Sequence, residues 1–452
     1  MVGYQKKSVA PKGKERRVEF TRFALGRNQK QTAGVLYAKE SKNCDLAGGK
    51  LRCGIGRSPF SDAYGAEKAI TDATGLTVFS YRSGLHNYKH RLGYTNGGGG
   101  LFLYNASSGA FEDILGGGSD VSTFLGISGK KEVLLFVYGD EGGFVYTRSG
   151  TLTQLFSKKV QAGCFYGERA FFFEYPFALN YSKALEPENF EIGVEEGGKV
   201  ELPVLRGKVH SFAPLNGRLY CFGEQGGVRL TAEGSALEFE VEDLQLGVSG
   251  IFKGSVRVCG EYIFFLTKEG LWKFDGNKVQ RAVENLQILP KAAQTCLSAS
   301  AHGNYYLQYT EEGGETRSLV VDGKGENGYF SFVKTALSDC EGRGLFLENG
   351  YAYQVDGRGD LPQGESYFFD AECDFGCTEE KTVKSLAIQG RGKVEFTFVS
   401  ERGEKSFEVD LTDGEKQIPV KLKGKNFLLR IRLQAGGEIE KLGANVFCLV
   451  GS

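Results

Sequence analysis

A glycine turn followed at once by an apolar or aromatic run recurs along this chain, and no other feature limits its fold as tightly. The pattern stands at Gly167 before Ala170-Phe171-Phe172-Phe173, at Gly217 before Leu219-Tyr220-Cys221-Phe222, at Gly260 before Tyr262-Ile263-Phe264-Phe265, and at Gly303 before Tyr305-Tyr306-Leu307. Gly342 before Leu345-Phe346-Leu347 is a looser copy. These glycines are 50, 43, 43 and 39 residues apart. A second signature, a short strand and then a tight turn, follows most copies. It ends at Ser108-Gly109, Ser149-Gly150, Glu233-Gly234, Asp275-Gly276, Asp322-Gly323 and Asp356-Gly357.

The fullest copy is Ser249 to Gln280. Val256 and Val258 alternate with polar residues, and Cys259-Gly260-Glu261 turns the chain. Tyr262 to Leu266 is a continuous apolar run, as in a strand buried on both faces. Leu271, Trp272 and Phe274 form the next strand, and Asp275-Gly276 is a hairpin turn. Four short strands repeating every ~40 to 50 residues are the signature of a β-propeller. A generic β-sandwich also spaces its strands by about 8 to 12 residues. The order of sub-patterns kept within each unit favours the propeller.

The expected fold is therefore all-β, a propeller of about seven blades followed by a small antiparallel β-sandwich. The units run roughly 76–116, 117–157, 158–194, 195–245, 246–290, 291–335 and 336–364. Six or eight blades also fit the spacing. In the third unit Tyr175-Pro176 interrupts the run, and Tyr181 to Phe190 reads as a long loop or a helical turn. The seventh is short, so a strand from the other terminus should complete it, and Leu51 to Ile55 is the candidate. Residues 43–60 read as a hairpin turning at Gly48-Gly49, and Ser61 to Thr74 as a short helix capped by Ser61 or Asp62. Beyond Glu365 the period becomes two, as in Val394 to Val399, Phe407 to Leu411, Ile418 to Leu422 and Leu428 to Leu433. The expected domains are a basic extended arm at 1–42, a propeller at 43–364 and a sandwich at 365–452.

Glycine makes up 65 of 452 residues, far above the usual ~7%. Because the glycines separate aromatic and β-branched runs, they signal turns and not disorder. A formal net charge of -1 provides no global field toward nucleic acid or membrane. No run approaches the ~20 apolar residues of a membrane-spanning helix. The first residues are basic and lack the apolar core of a secretory signal, so the ten cysteines are expected as reduced, mostly buried thiols.

Residues 1–30 hold nine Lys/Arg against two Glu. They read either as a solvated tail or as an arm laid on a neighbouring subunit or a nucleic-acid-lined surface. The candidate partner-binding residues are Lys6, Lys7, Lys12, Lys14, Arg16, Arg17, Phe20 and Phe23, with Leu25 beside them. No catalytic constellation stands out. His86 and His90 have a metal-like spacing of four with no acidic or thiol partner nearby, and Cys373 and Cys377 lack the second pair of a zinc site. The runs Gly97 to Gly100 and Gly116 to Gly118 are not followed by Lys-Ser/Thr, so they read as rim loops and not as phosphate cradles. No cofactor, metal or catalytic residue is expected.

The chain resembles the β-propeller tail-hub or tail-stabilisation structural proteins of tailed bacteriophages and prophages. Three stretches carry the likeness. The first is Asn43-Cys44-Asp45-Leu46-Ala47-Gly48-Gly49-Lys50-Leu51-Arg52-Cys53-Gly54-Ile55-Gly56. The second is Leu215 to Gly223, then Gly254-Ser255-Val256 and Glu269 to Gly276. The third is Lys381 to Leu386, leading through the sandwich to Gly424 to Ile431. The resemblance implies a non-enzymatic virion protein of the neck or tail, assembled in the host cytoplasm. Its propeller would be a rigid platform for portal, connector or tail subunits, in a homo-oligomeric ring. Nucleic acid would be met only through the amino-terminal arm, and no membrane would be involved. The alternative is a carbohydrate- or receptor-binding tail-tip propeller, possibly glycan-processing, with Tyr81, Tyr88, Tyr94 and Tyr104 stacking on sugars.

Overall fold

A computed structural model describes residues 13–25, 34–60, 67–82, 88–117, 121–193, 196–202, 209–224, 226–231, 239–284, 286–292, 294–340, 342–357, 359–411 and 415–449. Two compact units divide the chain: residues 57–326 with 333–359, and residues 1–56 with 327–332 and 360–452. Among the described residues the only helical segment is a 3-10 turn, Ala47–Gly49.

The larger unit is the propeller. Seven four-stranded antiparallel sheets follow one another in sequence, the outer strand of the sixth, Gly328–Ser331, falling among the residues counted with the smaller unit. Their inner strands are Ala73–Arg82, Val121–Ile127, Val160–Tyr166, Val209–Leu215, Arg257–Cys259, Leu297–Ala301 and Thr335–Cys340. Each inner strand packs against the inner strands of the blades before and after it, and the last meets the first, so the ring is closed. The expected count of about seven is therefore met.

The glycine signature marks the turn from the first to the second strand of a blade. Gly167-Glu168, Asn216-Gly217 and His302-Gly303 have positive φ at both turn residues, the conformation whose twist matches a hairpin. The apolar run after each turn is the second strand, whose side chains are buried against both neighbouring blades. Phe171, Phe172 and Phe173 are all fully buried, and so are Ile263, Phe264, Phe265 and Leu266. Phe136 and Phe172, from the second and third blades, meet edge to face at 5.8 Å, with Phe124 stacked on Phe136 at 4.8 Å.

The first and seventh blades join through Leu76, Val78, Leu92, Ala336, Leu345 and Leu347. Two polar bonds sew the same seam: the Leu76 N–H donates to the Ser338 hydroxyl at 2.9 Å, and the Val78 N–H to the Cys340 sulfur at 3.3 Å. A strand from the amino-terminal side completes the seventh blade, as expected, but it is Gly56–Pro59 and not Leu51 to Ile55. Leu51 is fully buried in the smaller unit, where Leu51–Cys53 pairs with Glu438–Leu449. Gly54 follows, and a Cβ there would lie 2.6 Å from the Tyr329 ring and 2.7 Å from the Asn43 carbonyl oxygen, so only glycine passes. The third blade matches the loop reading: its third strand is Ala178–Tyr181, and its outer strand, Gly198–Glu201, comes only after a long connection.

The smaller unit is an antiparallel sandwich built around one 20-residue strand, Lys381–Ser400. Its first half pairs with Glu415–Gly424 and Glu438–Leu449, and its second half with Gly403–Leu411 and Phe427–Leu433. The register slips between Gln389 and Gly390. A Cβ on Gly390 would lie 2.1 Å from the Glu438 carbonyl oxygen, and Gly392 has φ of 77°. The period-two pattern holds, with Phe427, Leu429, Ile431 and Leu433 inside and Leu428, Arg430 and Arg432 less buried. Part of the expected arm belongs to this unit. Gly13–Phe20 pairs along its whole length with Glu438–Leu449, and Glu40–Lys42 pairs with Tyr367–Cys373. The expected helix at 61–74 lies partly outside the described residues, and Ala73–Arg82 is a strand.

Candidate functional site

Lys6, Lys7 and Lys12 lie outside the described residues. Lys14, Arg16 and Arg17 are on the strand Gly13–Phe20, where Lys14 is exposed and the two arginines are engaged by the chain itself. Arg16 donates to the Phe375 carbonyl. Arg17 reaches Glu19 at 2.8 Å and Glu415 at 3.1 Å. Glu19 also pairs with Lys441 at 3.0 Å, and the hydrogen bond from Lys441 leads the effects that hold its carboxyl below the usual range. Phe20 and Phe23 are 1% exposed and packed on Phe375 and Phe369, in this chain's own core. A strand with a buried last residue is masked in the sequence by its dense positive charge.

Inner strands line the axis of a propeller. There the structure places an ion pair without any local sequence signal. Arg257, on the inner strand of the fifth blade, reaches Asp339 on that of the seventh, Nε to Oδ1 at 3.1 Å, with each side chain about a third exposed (34% and 33%). The guanidinium also donates to the Val256 carbonyl at 2.8 Å. Pairs of this exposure are worth at most about 1 kcal/mol, so the contact orients these side chains more than it holds the ring.

His210 is a half-buried connector between the fourth and fifth blades. A carbonyl only accepts, so Nε2 carries the proton donated to the Ile251 carbonyl at 3.0 Å, and Nδ1 accepts from the Ser211 hydroxyl at 3.0 Å. Burial lowers its pKa from 6.5 to about 4. His86 lies outside the described residues, and His90 bonds the Ser80 hydroxyl through Nδ1 at 2.6 Å. Among the described residues no three His, Cys, Asp or Glu side chains gather as metal ligands. All ten cysteines are free thiols.

The tyrosines considered for sugar stacking are largely used inside the first blade. Tyr94 stacks on Phe102 at 4.8 Å and meets Phe111 edge-on at 5.1 Å. Tyr104 is buried against Phe111, and Tyr81 packs on Phe79. The side chain of Tyr88 is outside the described set.

Exposed apolar side chains concentrate instead around the third blade. Tyr175 and Phe177 occupy the connection between its second and third strands, and Leu185 and Ile192 the connection between its third and fourth. Ile192 is 81% exposed. The second of these connections is well tied. Lys183 pairs with Glu196 at 3.1 Å, the Leu185 N–H donates to the Glu168 carbonyl at 3.0 Å, and Phe190 packs on Phe156 at 4.9 Å. It also rests on the buried Arg169, which donates to the Ser182 carbonyl at 2.6 Å and the Glu196 carbonyl at 3.3 Å. The surface on offer thus carries apolar points on a connection held by these bonds and packing, suited to contact and lacking a clustered nucleophile or acid–base pair among the described residues.

No family model matches the sequence, and no curated protein matches it. Solved structures do resemble it. One is a virginiamycin B lyase from Staphylococcus aureus, at 10% identity over 67% of this chain and 98% of that one, with a TM-score of 0.43. Another is the extracellular domain of a putative one-component system from B. thetaiotaomicron, at 10% identity over 92% of this chain and 63% of that one, TM-score 0.45. The WD40 repeats of RRP9 match at 8% identity over 64% of this chain and 98% of theirs, TM-score 0.39.

Proposed function

We propose that this chain is a structural, non-enzymatic component of a tailed-phage particle, of the neck or tail, which serves as a rigid platform for neighbouring subunits. The observation that supports this most is the closed ring of seven blades completed by a strand from the opposite side of the chain. Such a ring deforms little, because every blade is packed on both sides. The resemblance carried by Asn43 to Gly56, Leu215 to Gly223 and Gly424 to Ile431 points the same way. Partners would be portal, connector or tail proteins, and copies of this chain would form a ring in the virion after assembly in the host cytoplasm. With Arg16, Arg17, Phe20 and Phe23 engaged in this chain, contact with a partner or with nucleic acid falls to the segment carrying Lys6, Lys7 and Lys12 and to the apolar points of the third blade.

The test removes residues 1–12 and leaves Gly13–Phe20 in place. The truncated chain should unfold at the same temperature as the full chain yet fail to enter particles. Normal incorporation would remove the segment from the contact, and a third-blade variant, Leu185→Asp with Ile192→Asp, would then have to block incorporation for the platform reading to stand.

A further inference from the structure

We propose that Cys44 and Cys53 are a dithiol modification site, which a low-molecular-weight disulfide of the glutathione type closes into a reversible cross-strand bond. The two residues face each other in the hairpin of Cys44–Asp45 and Leu51–Cys53, around a turn with Gly48 and Gly49 at φ of 69° and 77°. The Gly54 N–H donates to the Asn43 carbonyl at 2.7 Å, so the ladder bond lies one step beyond the cysteines. That makes Cys44 and Cys53 a non-hydrogen-bonded pair, where Cα atoms approach to about 4.5 Å and side chains share a face. A disulfide needs Cα atoms about 4.4 to 6.8 Å apart, the range in which pairs of this register lie.

Each thiol is engaged by a different carbonyl. Cys44 donates to the Phe368 carbonyl at 3.4 Å and Cys53 to the Gln434 carbonyl at 3.2 Å. Both are weak sulfur bonds, and rotation about each χ1 gives them up. Cys44 is buried and Cys53 half-buried, so Cys53 is the entry thiol. Its thiolate attacks the external disulfide, forming a mixed disulfide and releasing one small thiol. The Cys44 thiolate then attacks the Cys53 sulfur, which closes the bond and expels the second small thiol. Two protons and two electrons leave the pair, and one external disulfide becomes two thiols. Burial raises the pKa of both thiols, the Cys44 shift being opposed by Arg432 and added to by Asp45. Tyr367, whose phenol burial pushes up to about 12, lies beside both. The exchange is therefore slow at neutral pH. The bond would tie the hairpin that runs directly into Gly56–Pro59, the closing strand of the seventh blade.

The test uses the full chain with Cys377→Ser and Cys448→Ser, since the thiol of Cys448 lies beside that of Cys377 and would compete. The protein is incubated with glutathione disulfide at about pH 8.5, near the free thiol pKa, then alkylated and digested. The expected product is a peptide pair joined through Cys44 and Cys53, lighter by two hydrogens than the separate peptides and split by dithiothreitol. Cys53→Ser, at a half-buried position that tolerates it, should give no joined pair and leave Cys44 unmodified. A stable glutathione adduct on Cys53 with Cys44 free would overturn the proposal. So would two untouched thiols under conditions that modify Cys377 in the unsubstituted chain.

Discussion

Single side chains in this protein mostly serve the seams between blades, and His210 shows how. Its ring is half-buried and neutral, held by the Ile251 carbonyl and the Ser211 hydroxyl. Its folded pKa of about 4 lies below the ordinary value of 6.5. The unfolded chain therefore takes up a proton first as pH falls. Stability from this residue is complete above about pH 6.5 and is lost progressively from there down to about 4. Near pH 5 the loss should be on the order of 2 kcal/mol. Urea unfolding at pH 7 and pH 5 should show a drop larger by about that amount in the native chain than in His210→Gln. Equal drops would mean that His210 is not the titrating group. Phe172 gives a second case. It meets Phe124, Phe136, Phe156 and Phe190 between two blades, so Phe172→Ala should cost roughly 3 to 5 kcal/mol in the same assay.

Strands were legible where turn chemistry and burial left a mark. Second strands such as Tyr262–Thr267 are apolar without interruption because both faces are covered, and the turns before them need a positive φ, hence Gly167, Gly217 and Gly303. Outer strands carry no such mark. The closing strand Gly56–Pro59 reads Gly-Arg-Ser-Pro, and nothing in that composition says strand; its neighbours place it, through Phe60 N–H to the Ala352 carbonyl at 3.1 Å and Arg57 over Tyr353 at 4.1 Å. The more apolar Leu51 to Ile55 drew the expectation a few residues too early. Gly13–Phe20 was hidden in the same way under its lysines and arginines. Removing residues 1–30 should therefore destabilise the chain, since Phe20 and Phe23 each bury a side chain worth about 1.5 to 3 kcal/mol, whereas removing 1–12 should not. The bend in Lys381–Ser400 yields another expectation. Gly390→Ala would force a Cβ onto the Glu438 carbonyl, and thermal unfolding should report a loss of roughly 2 to 4 kcal/mol. A neutral substitution would show that the strand yields there.

For the whole molecule, the repeat made the architecture readable and the chemistry unreadable. A propeller is announced by its period, but the residues meeting on its axis come from distant blades. Arg257 and Asp339 have no local pattern that ties them together. The Cys44–Cys53 pair was closer to hand, because the Gly48-Gly49 turn already implied a hairpin there. In the propeller, exposed apolar side chains gather at the third blade; in the smaller unit, Arg16 and Arg17 of the strand Gly13–Phe20 are engaged by the chain itself. The most direct check is to sediment a lysate of the producing strain and quantify this chain across the gradient by mass spectrometry. The platform reading predicts that it travels with DNA-containing tailed particles at a fixed ratio to their major proteins. If it remains at the top of the gradient as a free monomer while those particles sediment without it, the reading is contradicted.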